Sequence, residues 1–264
     1  MVKAIFFDLD DTLLWDQKSV QEAFSATCRR VLETYDISPA KLEEAVRREA
    51  RELYASYETY PFTQMIGINP FEGLWGEFLD EGDSFRKMRE IVPMYRKEAW
   101  TRGLQAMGIQ DDDLGFELAE SFPKERRKNP FLYEESLRVL DELKGKYKLL
   151  LLTNGSPQLQ QTKLSITPEL VPYFDEIIIS GAFGKGKPDP AIFKHALESL
   201  KVERDQAIMV GDNLMTDILG ANRAGVKSVW VNRSGKEQGE ASPDYEISHL
   251  EELHSILKSL KASL

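Results

Sequence analysis

The strongest signal along the chain is the segment 2–8, apolar at every position before Asp8 except Lys3, which reads as a strand ending in carboxylates at Asp8 and Asp10. Four further runs share its form: 148–153, 176–180, 207–210 and 228–232. Each is short, apolar at neighbouring as well as alternate positions, and followed by turn residues. That pattern predicts strands buried on both faces of a parallel sheet. Between them, apolar residues three and four apart predict helices over 133–146, 191–200 and 216–224. A last short strand is expected at 245–247 and a closing helix over 250–260. Strands alternating with helices give an α/β fold class, a Rossmann-like parallel sheet with helices on its faces.

Residues 16–128 break this rhythm. They hold no comparable apolar strand, only amphipathic stretches such as 20–35, 39–57 and 85–107. An aromatic-rich segment, 57–78, interrupts them with Pro61, Gly67, Pro70, Gly73 and Gly76, and 59–76 is expected to be irregular. The expected organisation is therefore an α/β core from 1–15 and 129–264, with a smaller all-helical domain, 16–128, inserted after the first strand. The aromatics Tyr54, Tyr57, Tyr60, Phe62, Phe71, Trp75 and Phe78 are expected to be mainly core. The segment 59–76 is the candidate specificity loop.

Composition narrows the function. Of 264 residues, 42% are hydrophobic and 30% charged, an ordinary balance, and no apolar run approaches the length of a membrane span. The segment before Asp8 is too short for a signal peptide, so a cytoplasmic protein with no membrane partner is expected. The net charge of −10 argues against binding a nucleic acid, which needs a basic face. Basic runs at Arg47-Arg48 and 124–128 are expected to be solvated helix faces. Cys28, the one cysteine, excludes an internal disulfide and sits in a helical pattern that predicts burial. His195, His249 and His254 form no metal-ligand spacing.

Ligands of open parallel sheets bind beyond the carboxyl ends of the strands. The residues there have a common chemistry. After the first strand come Asp8, Asp10 and Thr12; after the second, Thr153 and Asn154; after the third, at a distance, Lys187; after the fourth, Asp212, Asn213 and Asp217. Clustered carboxylates suit a hard cation such as Mg²⁺. A cation and a lysine together offset the charge on a transferring phosphoryl group. One carboxylate can attack phosphorus while its neighbour handles the proton of the leaving group.

Asp8-Leu9-Asp10-Asp11-Thr12, Leu152-Thr153-Asn154-Gly155, Lys187-Pro188 and the segment from Gly211 to Asp217 occur in the order of the four motifs of the haloacid dehalogenase-like hydrolase superfamily, which the chain resembles from residue 1 to about 235. The resemblance implies a Mg²⁺-dependent phosphatase acting on a small phosphorylated metabolite. Asp8 would be nucleophile and metal ligand. Asp10 would be general acid and base, with its backbone carbonyl on the metal. Thr153 and Asn154 would hold phosphoryl oxygens, and Lys187 would pair with Asp8 and the phosphate. Asp212 would ligate the metal, with Thr12, Asn213 and Asp217 in support. The helical insertion would be the family's cap, closing over the site and choosing the substrate. Among the substrates such a phosphatase could take, a nucleoside monophosphate, a phosphosugar, a sugar-acid phosphate or phosphoserine, the resemblance leans to phosphoserine. Arg47, Arg51 and Arg102 are possible carboxylate or phosphate contacts.

Four other readings compete. A dehalogenase of the superfamily would lack the second aspartate, and Asp10 argues against it. A phosphosugar mutase would use the same residues. A non-catalytic binding protein would be expected to lose a nucleophile or ligand, which this chain keeps. The segment from Gly181 to Lys187 approaches a nucleotide-binding phosphate loop, but Pro188 stands where a hydroxyl residue is needed. Oligomeric state is not legible in these patterns.

Overall fold

The computed structural model describes residues 1–262. Six strands form one parallel sheet: β1 (Ala4–Phe7), β2 (Lys148–Thr153), β3 (Glu176–Ile179), β4 (Ala207–Gly211), β5 (Lys227–Val231) and β6 (Tyr245–Ile247), in spatial order β3-β2-β1-β4-β5-β6. All six predicted strands are present within a residue or two. The sheet is parallel because every strand returns through a crossover, and its inner strands are buried on both faces, which is why they read as unbroken apolar runs. Phe7 lies opposite Leu151 of β2 on one side and Val210 of β4 on the other. The chain first winds outward through β2 and β3, then crosses back to β4. The order of strands therefore reverses beside β1, and the ends of β1 and β4 face one crevice.

Twelve α-helices accompany the sheet among the described residues. Those of the insertion are α1 (Asp16–Arg29), α2 (Pro39–Ser56), α3 (Tyr60–Ile66), α4 (Pro70–Gly73), α5 (Asp83–Ala106) and α6 (Asp112–Lys128). The later ones are α7 (Ser136–Leu143), α8 (Pro157–Ser165), α9 (Ser180–Phe183), α10 (Pro190–Leu200), α11 (Leu219–Ala224) and α12 (Leu253–Ala262). None is long and apolar enough to cross a membrane.

The chain divides into two compact units. One comprises 1–15, 132–160 and 167–264; the other comprises 16–131 and 161–166. In the first, α10 and α11 lie on the sheet, burying Phe6, Leu150, Leu152, Met209, Ile192 and Phe193 in one cluster. Burying each such side chain contributes roughly 1.5–3 kcal/mol. The start of α10 is set by Asp189, whose side chain accepts from Ala191 N, with Pro190 in the first helical position. Gly225 ends α11 in the left-handed region, at φ 71°, a conformation that favours glycine at a helix C-cap.

The helical unit has its own core. Phe24 of α1 packs on Phe122 of α6 and Trp100 of α5. Helices α2 and α5 cross closely at Gly103, where a Cβ would stand 2.3 Å from Val46 Cγ2 and 3.2 Å from the Val46 backbone. Gly103→Ala is expected to destabilise this unit by about 1–3 kcal/mol through overpacking. Chemical denaturation checks it, and unaltered stability would contradict so close a crossing.

Four expectations need correction. The stretch 59–76 is largely helical: α3 comes first, then Asn69 caps α4 through Phe71 N and Glu72 N, and Glu72 returns a bond to the Asn69 N–H. Pro61, Gly67, Pro70 and Gly73 lie at helix ends, where they start and stop short helices, while Gly76 lies in the stretch after α4. Tyr54, Trp75 and Phe78 are buried as expected, whereas Tyr57, Tyr60, Phe62 and Phe71 are only half-buried. Arg126, in the 124–128 run, is not solvated. It is 2% exposed, donates to Asp16 Oδ1 at 2.7 Å and to Ser19 Oγ, and lies over the Trp75 ring. Finally, α7 begins at Ser136 rather than at 133, because Tyr133 N bonds to Leu13 O and joins the end of the first motif instead. Cys28 is fully buried.

Candidate active site

Strand β1 stops at Phe7, and the chain turns through Asp11, whose φ of 61° lies in the left-handed region. That turn leaves Asp8 at the carboxyl end of β1, with its N–H bonded to Val210 O at 3.0 Å. Asp8 Oδ1 accepts from Lys187 Nζ at 2.7 Å. The same ammonium lies 2.7 Å from Asp217 Oδ1 and donates to Leu152 O at 2.6 Å. A lysine ammonium has three hydrogens, and here three acceptors surround it. Lys187 and Asp217 are both buried, with Asp217 at 0% exposure.

Thr12 links two strand ends. Its hydroxyl stands 3.5 Å from Asp8 Oδ2 and 3.5 Å from Asp212 Oδ1, and it accepts from Asp212 N at 3.1 Å. Asn213 caps the turn after β4: its Oδ1 accepts from Met215 N and Thr216 N. Its own N–H donates to Asp217 Oδ2 at 3.0 Å, holding that carboxylate toward Lys187. Gly211 leaves room for this packing, since a Cβ there would stand 2.2 Å from Asp217 Oδ2.

Asn154 is engaged differently from its expected role. Its Nδ2 donates to Lys187 O at 2.8 Å, and its Oδ1 accepts from Lys187 N at 2.8 Å. The side chain thus brackets the Lys187 backbone and leaves its charge-bearing end aimed at Asp8. Thr153 and Asp10 meet on a residue that sequence reasoning missed. Gln160 of α8 donates from Nε2 to Thr153 Oγ1 at 2.6 Å and to Asp10 Oδ2 at 3.1 Å.

Arg233 was missed as well. It donates to Thr12 O at 3.2 Å, pairs with Glu135 at 2.6 Å, and lies 3.7 Å above the Tyr133 ring, which stacks on Trp15. Arg233 comes just after β5, so the strand-end rule carried one strand further finds it. No such rule finds Gln160, whose place depends on how α8 leaves the sheet. Trp230 Nε1 also supports the site, donating to Asp212 O at 2.8 Å.

The charges are unbalanced. Burial raises Asp8 to about 6 even against the nearby Lys187 charge, and Asp217 adds to the rise. Asp212 is pushed up to about 9, first by burial and then by the charges of Asp8, Asp217 and Asp11. Lys187 moves up because Asp217 and Asp8 outweigh its own desolvation. Asp8, Asp212 and Asp217 bring carboxylate oxygens within 4.8 Å of one another. One lysine cannot neutralise that cluster, and an all-oxygen donor set at this spacing fits a hard divalent cation.

A sequence model described as haloacid dehalogenase-like hydrolase matches residues 2–225. The chain is 36% identical to a phosphoserine phosphatase from Thermus thermophilus, over 96% of this chain and 98% of that one. It is 38% identical to a glyceraldehyde 3-phosphate phosphatase from Pyrococcus furiosus, over 97% and 93% of the two chains. Its fold is similar to the magnesium-bound hydrolase YfnB from Bacillus subtilis, with a TM-score of 0.66 at 22% identity, covering 97% of this chain and 98% of that one. Four motifs at four strand ends, with the ion pairs that join them, have the same source as these similarities: the chain belongs to the haloacid dehalogenase-like hydrolase family.

Proposed function

We propose that this protein is a Mg²⁺-dependent phosphomonoesterase that works through a phosphorylated Asp8, with phosphoserine as its favoured substrate. The observation that carries the reading is the buried Asp8–Lys187–Asp217 chain of charges, set at the edge where Thr12 joins Asp8 to Asp212. The family's phosphatases support the chemistry. The Thermus relative, similar along the whole chain, supports phosphoserine.

Lys187 holds the Asp8 carboxylate in one orientation and favours its ionised form, which is the attacking form. Asp8 attacks phosphorus and the bond from phosphorus to the leaving oxygen breaks. Asp10 gives that oxygen a proton, so the alcohol leaves neutral. Water then attacks the phosphorus of the acyl phosphate, Asp10 takes its proton, inorganic phosphate departs and Asp8 is restored. Thr153 binds a phosphoryl oxygen through its hydroxyl, and Asn154 acts through Lys187. Asp8, Asp212 and the backbone carbonyl of Asp10 would hold the Mg²⁺, with Asp217 beside them. Bound there, the cation would neutralise charge on the phosphoryl group. The helical insertion is assigned the cap's part in choosing the substrate. A cytoplasmic setting fits a chain whose one cysteine, Cys28, is buried and forms no disulfide within it.

The test is phosphate release, with Mg²⁺, from a panel of phosphoamino acids, nucleotides and phosphosugars. The expected result is one strong response, to phosphoserine. Release from another ester alone would replace the substrate and keep the chemistry; release from none would overturn the reading.

A further inference from the structure

Gln160 lies where the first turn of α8 passes the active edge and is completely buried, at 0% exposure. Its Nε2 is 3.1 Å from Asp10 Oδ2 and 2.6 Å from Thr153 Oγ1. A primary amide nitrogen carries two hydrogens, and here each has its own acceptor. The amide can face this way only, because its oxygen turned toward Asp10 would oppose a carboxylate. Gly155 makes the approach possible: at φ 138°, a Cβ there would stand 3.1 Å from Gln160 Cγ and Cδ.

This donor pattern does two things. The Asp10 carboxyl is tied by one oxygen to a fully buried amide, so its orientation is set by α8 as well as by the turn that carries it. The Thr153 hydroxyl accepts from Gln160 and therefore keeps its own hydrogen for another acceptor. The protein offers it Asn154 O at 3.4 Å, long for a hydroxyl donor. A phosphoryl oxygen is the better partner.

We infer that Gln160 is a positioning residue for phosphoryl transfer: one amide aims the Asp10 carboxyl at the leaving oxygen and turns the Thr153 hydrogen toward the phosphoryl group. The inference rests on the reading of Asp10 as the acid that protonates the leaving oxygen. Gln160 exchanges no proton itself. Partners that orient a reacting group in this way are worth about 10–100-fold in activity.

The leaving group separates this role from a merely structural one. A serine alkoxide is a poor leaving group and needs its proton as the bond breaks, whereas p-nitrophenolate leaves without one. A misaimed Asp10 therefore harms an alkyl ester more than an aryl ester. A misdirected Thr153, or a loosened fold, harms both alike. The experiment measures kcat/KM of Gln160→Met and Gln160→Glu, with Mg²⁺, on phosphoserine (or the best alkyl ester of the panel) and on p-nitrophenyl phosphate. Methionine keeps the volume without the amide; glutamate keeps the shape without the donors.

The expected result is a common loss on both esters, with a further loss on the alkyl ester of about tenfold or more. Asp10→Asn run beside them should show the same preference more strongly. Equal losses on the two esters in both Gln160 variants, with Asp10→Asn showing the preference, would overturn the inference alone. An Asp10→Asn variant without the preference would overturn the reading of Asp10 and this inference with it.

Discussion

Asp8→Asn is expected to end phosphate release, with a loss on the order of 10⁴-fold or more, because removing a covalent nucleophile removes the step that the other residues serve. The variant should still fold. Asparagine has nearly the shape of aspartate, and Lys187 retains Asp217 and Leu152 O as acceptors. Burial already works against the Asp8 charge, raising the group to about 6, so a neutral amide removes a desolvation cost along with the ion pair. Circular dichroism and the unfolding midpoint, measured beside the phosphate assay, separate lost chemistry from a lost fold. A folded Asp8→Asn protein that still turns over would mean that water or another residue attacks phosphorus.

Removing divalent cations is expected to stop turnover reversibly and to make stability depend on pH. The ordinary value for an aspartate is 3.8; Asp8 is raised to about 6 and Asp212 to about 9. Between 3.8 and these values the folded chain binds more protons than the unfolded chain, so stability falls as pH rises. The contribution is complete below the ordinary value and is lost first through about 6, then through about 9. A cation at the cluster favours the ionised carboxylates and offsets the loss. Unfolding midpoints with and without Mg²⁺, from about pH 5 to about pH 9, should therefore diverge as pH rises. A Mg²⁺ effect that is the same at every pH would contradict a cation held by these carboxylates, and turnover indifferent to a chelator would contradict it outright.

Much of this site lay open in the order of residues along the chain. Strands buried on both faces announce themselves as apolar runs, and a parallel sheet gathers the residues just beyond each run at one edge. Asp8, Lys187, Asp212 and Asp217 were found in that way, and they lie together. The residues that orient them were harder to find. Gln160 has no periodic or motif signal, since its two bonds depend on the path of α8. Arg126 carries the composition of a solvated charge, and its burial comes from Asp16, more than a hundred residues earlier. Asn154 was identified by motif, but its bonding to the Lys187 backbone is a tertiary fact. In the helical unit, glycine and proline suggest irregular chain by composition, whereas Pro61, Gly67, Pro70 and Gly73 sit at helix ends and act as starts and stops.

The covalent route is the central claim, and trapping its intermediate tests it most directly. The wild-type protein, mixed with Mg²⁺ and its best substrate, is quenched in acid within a single turnover, digested and mapped by mass spectrometry. The prediction is one phosphoryl group, on the peptide that carries Asp8, absent from Asp8→Asn and discharged when the quench is delayed. Full turnover with no phosphorylated peptide at any quench time, or with the phosphoryl group on another residue, would contradict it.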